Sequence, residues 1–157
     1  MLQPWEGIED GFKPTDEDHG FIYLMTIENP ETKKPNYYIG CKQFWSTTKR
    51  PPLKGKKRKR KVVKEHKWRD YTSSSTSINE WIKQGVPVRR EILRLVYSQW
   101  ELNYVENLFI MNCHTAFRDD FLNGFAGFRQ GAPPKALREK VKKGLVNFDI
   151  PARLQGL

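Results

Sequence analysis

Cysteine is scarce in this chain of 157 residues: there are two, Cys41 and Cys113, without Cys-x-x-Cys or Cys/His spacing. The adjacent pair Cys113-His114 cannot by itself build a zinc site, and both thiols are expected to be reduced and packed. Long apolar runs are missing too. None approaches the ~18 residues of a membrane span, and the start, Met1-Leu2-Gln3-Pro4-Trp5-Glu6, has neither the basic nor the apolar block of a signal peptide. The expectation is a protein without membrane contact in a cytoplasmic compartment. No internal repeat occurs, and only one segment is of low complexity.

Acidic residues are nearly absent from that segment. Of the 28 Lys+Arg and 18 Asp+Glu that give a net charge of +10, twelve basic residues and a single acid, Glu65, lie within residues 49–69. The rest of the chain is close to neutral, so this is an ordinary domain carrying one cationic insertion, and a polyanion is the natural partner. Lys54, Lys56, Lys57, Arg58, Lys59, Arg60, Lys61, Lys64 and Lys67 are the candidate nucleic-acid contacts. Laid along a duplex backbone they would supply salt-sensitive affinity without sequence choice. Two prolines, Pro51 and Pro52, and like-charge repulsion predict an extended, solvated loop here.

Around the insertion the pattern is α/β. Residues 1–19, rich in acids, Gly and Pro, read as a lead-in whose charge, opposite to that of the cationic run, suggests an intramolecular mask folded back over it. Residues 21–27 (FIYLMTI) form an apolar, β-branched strand closed by Asn29-Pro30, and residues 37–41 (YYIGC) form a second, pairing with it as a hairpin. Ser77-x-x-Glu80 suggests a capping box for a helix ending at Gly85. Residues 88–97 follow as a third strand, and residues 99–112 as the strongest helix. Residues 134–143 form a short amphipathic helix with Gly144 as its C-cap, and the remainder is a tail.

Two features call for chemistry. Side chains two apart on a strand share a face, so a hairpin register can gather Tyr23, Tyr38 and Lys42 beside Gly40 on one surface; plain strand packing is the rival reading. On the long helix Glu106 falls between Leu102 and Ile110, inside the apolar stripe. A carboxylate there must be protonated, paired with an arginine, or bound to a divalent cation. Ser73, Ser74 and Ser75, just before a helix, are candidate phosphate contacts through hydroxyls and amides.

In this order, Gly20-Phe21-Ile22-Tyr23, Tyr38-Ile39-Gly40 and Glu106 in Glu-Asn-Leu-Phe-Ile resemble the GIY-YIG nuclease superfamily. The segment Tyr71-Thr72-Ser73-Ser74-Ser75 is similar to the Tyr-x-x-Ser-Ser of its phage and intron homing-endonuclease branch. The resemblance covers residues 20–123. It implies a small three-stranded antiparallel sheet flanked by helices, here with a basic loop insertion, over a catalytic domain of residues 20–124, the insertion being residues 49–67. Residues 125–157 follow as a C-terminal helix and tail.

It further implies a metal-dependent endonuclease that hydrolyses phosphodiesters of double-stranded DNA, of homing type, encoded by a phage or mobile element and active in a bacterial host cell. Tyr23 and Tyr38 match the motif tyrosines, one assisting deprotonation of water. Glu106 matches the ligand of one Mg²⁺ (or Mn²⁺), and Asn123 resembles an asparagine that closes such sites. The family arginine has no counterpart on a helix after Tyr-Ile-Gly, which leaves Lys42, then Arg69, then Arg50 as its replacement. His66, in the cationic run, is a lesser candidate for a general base. A catalytically inactive nucleic-acid-binding module of the same fold is the alternative reading.

Overall fold

A computed structural model describes residues 2–123, 135–145 and 149–155. In chain order the elements are β1 (Gly20–Glu28), β2 (Pro35–Gln43), β3 (Trp45–Arg50), β4 (Arg60–Glu65), α1 (Thr76–Lys83), β5 (Val88–Val96), α2 (Gln99–Asn112) and α3 (Arg138–Leu145). The main sheet is antiparallel with order β2-β1-β5, and β3 pairs only with β4. No described helix is long and apolar enough to cross a membrane.

β1 is apolar on both faces because both are covered. Ile22 and Leu24 point, with Ile39 and Val96, onto Leu102, Val105 and Phe109 of α2. Phe21, Tyr23, Met25 and Ile27 point the other way, into a largely aromatic core with Trp5, Phe44, Trp68 and Ile78. Each fully buried side chain of this size contributes about 1.5–3 kcal/mol. Tyr23 sits at a register shift between β1 and β5, which pair Ile22 with Arg94 but Tyr23 with Ile92. Leu93 is the extra residue, and such bulges re-aim neighbouring side chains.

β2 is the sheet's edge, and its outward backbone groups are capped in turn. Tyr37 N–H donates to the Asp120 carbonyl (2.7 Å) and Leu122 N–H to the Tyr37 carbonyl (2.8 Å). Capping hides the row of open donors and acceptors that an edge otherwise presents.

The hairpin, the third strand and the long helix lie where the sequence predicts them. Several readings change. The cationic run is no extended loop: its two ends pair as the antiparallel ribbon β3–β4, leaving residues 51–59 as the connecting turn. β-branched Thr47, Thr48, Val62 and Val63 in mid-ladder supply strand propensity that charge counting overlooks. Ser77 does not cap α1. It is the helix's second residue, Ser75 holds the N-cap position, and no side chain caps it. The side-chain cap lies on α2, where Ser98 Oγ accepts from Glu101 N–H (3.1 Å) and the Glu101 carboxylate accepts from Tyr97 N–H (3.0 Å). α3 runs through Gly144 to Leu145, so that glycine is not its C-cap. The predicted start of that helix, Pro134, is outside the described residues.

The acidic lead-in is part of the fold. Glu6 bridges to Glu91 on β5, and Trp5 is buried with its indole N–H donating to the Trp68 carbonyl (3.1 Å). Among the described residues its ion pair is Glu6 with Arg89, and none joins it to the cationic run. Residues 149–155 also pack, burying Ile150 and Leu154 against the α2 side.

Candidate active site

The two motif glycines are where they are because other atoms need the room. A Cβ on Gly20 would lie 2.4 Å from the Lys42 carbonyl oxygen, and one on Gly40 would lie 2.3 Å from Tyr23 Oη and 2.4 Å from its Cζ. Gly40 stands opposite Tyr23 in the β1–β2 register, and the phenol ring lies across it. Gly40→Ala must displace this ring. The expected cost is about 1–3 kcal/mol, read as a lower denaturant midpoint, because added volume in a packed core forces side chains off their rotamers.

The register Tyr23↔Gly40, Met25↔Tyr38 and Phe21↔Lys42 places Tyr23, Tyr38 and Lys42 on one face, as the sequence suggests. The rings of Tyr23 and Tyr38 are 6.3 Å apart, and Tyr71 stands edge-on to Tyr23 at 5.8 Å. Lys42 Nζ lies 4.6 Å above the Tyr71 ring, a cation–π contact that holds its charge beside the phenols.

The two motif tyrosines have different surroundings. Tyr23 is fully buried, and its hydroxyl lies within reach of Tyr71 and Ser73 but makes no hydrogen bond of good geometry. Burial, and then the neighbouring Tyr71, push its pKa far above the usual phenol value. Tyr38 is half-buried, and its hydroxyl shares a 2.9 Å hydrogen bond with Ser74 Oγ. Burial raises the Tyr38 pKa most, the Ser74 bond lowers it, and the Glu106 charge raises it again.

Glu106 approaches from the other side of the sheet. α2 packs beneath the face opposite the tyrosines, and at the edge strand β2 the Glu106 charge is near enough to act on Tyr38. Asn123 and Glu106 meet this edge at Ile39 and Cys41, two residues and so about 7 Å apart. Cys41 Sγ donates to Glu106 Oε2 (3.2 Å). Burial pushes the Glu106 carboxyl up, and the hydrogen bonds from the Cys41 thiol and backbone pull it partly back. Among the described residues no arginine or lysine forms an ion pair with it. A half-buried carboxylate without a cation suits an ion that takes one protein oxygen and fills its other positions with water and phosphate oxygens, as Mg²⁺ does. No group of three or more His, Cys, Asp or Glu among the described residues offers a fuller cage.

Asn123 spends its amide on the edge strand: Oδ1 accepts from Ile39 N–H (3.0 Å) and Nδ2 donates to the Ile39 carbonyl (2.7 Å). Ser73 has φ 137°, a left-handed value unusual for a side-chain-bearing residue. Its Oγ accepts from Ser75 N–H (2.9 Å), its carbonyl accepts from Asn79 Nδ2 (3.0 Å), and the bend turns Ser74 toward Tyr38.

Of the three candidate cations, only Lys42 joins the phenols. Arg69 is committed elsewhere, donating to Glu65 (2.9 Å) and to the Phe12 carbonyl (2.8 Å) and stacking on Trp68. Arg50 is exposed at the far end of β3. His66 lies near Lys42; burial first, and then the lysine charge, hold its imidazole below the usual histidine pKa. Lys54, Lys56, Lys57, Arg58 and Lys59 lie in the exposed ribbon turn, Arg60, Lys61 and Lys64 on β4, and Lys67 is exposed beyond it.

Sequence reasoning missed Cys41, Tyr71 and Arg90 as site supports. Tyr71 opens the Tyr-x-x-Ser-Ser segment, and Cys41 directly follows Tyr-Ile-Gly, so position was the available signal. Arg90 is buried, its pKa pulled down by burial, and donates to the carbonyls of Arg69 (2.8 Å), Tyr71 (3.0 Å) and Gln3. It ties the Tyr71 backbone to β5, and nothing in its sequence neighbours announces this.

One family model, described as "Putative endonuclease segE, GIY-YIG domain", matches residues 5–126. The match begins at Trp5, the first aromatic residue the lead-in buries in the core. No curated protein and no solved structure matches the chain.

Proposed function

The chain belongs to the GIY-YIG endonuclease family, and on that premise we propose that it is a Mg²⁺-dependent endonuclease hydrolysing phosphodiester bonds of duplex DNA. The observation that carries this reading is the half-buried Glu106 carboxylate, without a basic partner among the described residues, at the strand edge beside Tyr38. Glu106 would hold the metal, with the other coordination positions left to water and the scissile phosphate. A bound Mg²⁺ (or Mn²⁺) neutralises charge developing on the phosphate and lowers the pKa of water.

This chain's own groups do the rest. Tyr38 Oη shares a hydrogen bond with Ser74 Oγ, so it would take the proton of an attacking water as its own proton passes to Ser74 and from there to solvent. Lys42, held over Tyr71, steadies the phosphate oxygens. Tyr23 acts through its ring, which sets the positions of Tyr38 and Tyr71. The reaction exchanges one P–O ester bond for a P–O bond to water, and the leaving sugar oxygen takes a proton.

The Tyr-x-x-Ser-Ser segment and the cationic run support a homing-type enzyme of a phage or mobile element, which would cut long duplexes at few sites. Supercoiled plasmid incubated with the protein should be nicked or linearised in Mg²⁺ and stay intact in EDTA. Cutting that persists in EDTA would remove the metal from the reaction. Intact plasmid in Mg²⁺ and in Mn²⁺, with binding retained, would favour the inactive binding module.

A further inference from the structure

We propose that β3–β4 is a DNA-reading arm that lays its Ser46, Thr48, Arg50, Arg60, Val62 and Lys64 face in the major groove beside the cleaved strand. The proposal deepens the nuclease reading and rests on it for duplex DNA as the ligand.

The ribbon lies outside the packed domain. Thr47 to Arg50 on one strand and Arg60, Lys61, Val63, Lys64 and Glu65 on the other are exposed. A lone two-stranded hairpin is marginal in water, and this one sets Lys49 against Lys61 and Arg50 against Arg60. Like charges directly opposite repel. Among the described residues none of the four has an acidic partner, so a polyanion would relieve what the fold leaves uncompensated.

The two faces differ. Register puts Trp45, Thr47, Lys49, Lys61, Val63 and Glu65 on one side. That side includes the acid Glu65, and its base borders a cavity of about 540 Å³ shared with Asp16 and His19. The opposite side has Arg50, Arg60 and Lys64 and no acid. Its two hydroxyls are turned onto the ribbon itself, Ser46 Oγ to the Lys64 carbonyl (3.2 Å) and Thr48 Oγ1 to the Val62 carbonyl (3.5 Å). What remains outward is guanidinium, ammonium and methyl, matched respectively to guanine O6/N7, phosphate, and the thymine methyl.

Dimensions select the groove. Two strands about 4.8 Å apart fit a B-form major groove of about 12 Å, whereas the A-form major groove of RNA is too narrow. The arm's base is rigid. Phe44, fully buried, is the one residue between β2 and β3, its carbonyl accepts from His66 N–H (2.7 Å), and Trp45 Nε1 donates to the Asp18 carbonyl (2.8 Å). Arg50, at the far end of the ladder beside Arg60, follows Lys42 by eight residues, at most about 27 Å of chain. The bases read therefore lie within about eight base pairs of the scissile phosphate, at about 3.4 Å per step.

The test is dimethyl sulfate footprinting in EDTA on duplexes the protein has enriched from a random-sequence pool. This reagent reports guanine N7 in the major groove and adenine N3 in the minor. Guanine N7 protection is expected, lost in Arg50→Gln/Arg60→Gln, with preference for the enriched duplex over an unrelated one reduced about 10- to 100-fold. Neutralising the turn instead (Lys54, Lys56, Lys57 and Lys59 to Gln) should weaken binding to both duplexes alike and flatten the salt dependence, with the footprint retained. Double-stranded RNA should compete at least tenfold worse than DNA. Absence of enrichment, adenine N3 protection alone, a footprint indifferent to the arginine pair, or equal competition by RNA would each overturn the arm. Plasmid cleavage in Mg²⁺, measured in parallel, keeps the two readings apart. An arm-dependent footprint without cleavage sinks the nuclease and spares the arm, and cleavage without such a footprint does the reverse.

Discussion

Glu106→Gln should lose cleavage by roughly a thousandfold or more in saturating Mg²⁺ while binding DNA in EDTA as the unaltered protein does. Glutamine keeps the shape and can still accept from the Cys41 thiol, which donates to Oε2 at 3.2 Å. What it removes is the anionic oxygen, and with it the charge that draws a divalent cation to the strand edge. Unfolding cannot explain such a loss. The carboxylate is half-buried and has no cationic partner among the described residues, so a neutral replacement relieves a desolvation cost. The denaturant midpoint in EDTA is expected to stay level or rise. A variant that cuts within tenfold of the original rate would remove Glu106 as the metal ligand.

The second large effect is a contrast between two tyrosines of one motif pair. Tyr38→Phe should slow cleavage by about 100-fold or more, the usual contribution of a positioned proton acceptor, with little change in DNA affinity. Tyr23→Phe should stay within about tenfold. Its hydroxyl is buried with no hydrogen bond of good geometry, only the nearby Tyr71 and Ser73, so deleting it leaves stability close to level. Single-turnover rates and urea midpoints of both variants check the pair. Equal losses of rate would show that the Tyr23 hydroxyl reaches the water after all, and a greater loss in Tyr23→Phe would reverse the assignment.

Neither prediction could have been drawn from spacing alone. Period-two alternation put Tyr38 and Lys42 on one face of the second strand, because pleat geometry is local, and left it to the pairing register whether Tyr23 joined them. It could not say that Gly40 is where the Tyr23 ring lies, since that depends on the pairing register across a turn. Glu106 was legible as an anomaly in an apolar stripe, yet α2 packs on the side of the sheet away from the phenols. Their approach requires β2 to be an edge. Edge position is set by strand order, and strand order by which surfaces bury best.

The cationic run shows the opposite limit. Charge counting located it and named its partner class, but repulsion argued for a loop, while β-branched residues flanking the turn and an anchored base made a ribbon. The choice of cation was decided in the same way. Lys42, Arg69 and Arg50 are equivalent as charges in a string, and they separate only when Glu65, Phe12 and Trp68 claim Arg69 and Tyr71 accepts Lys42.

By itself, then, the amino-acid order determined the α/β class, the hairpin, the order of the motif blocks and the family, because propensity, pleat alternation and motif spacing act over a few neighbouring residues. Only the tertiary structure decided which phenol is open to solvent, which cation stands beside it, and that a carboxylate from one side of the sheet acts on a hydroxyl from the other. Those are distances between residues far apart in the chain, and they come from the competition of whole surfaces for burial, which no local window contains.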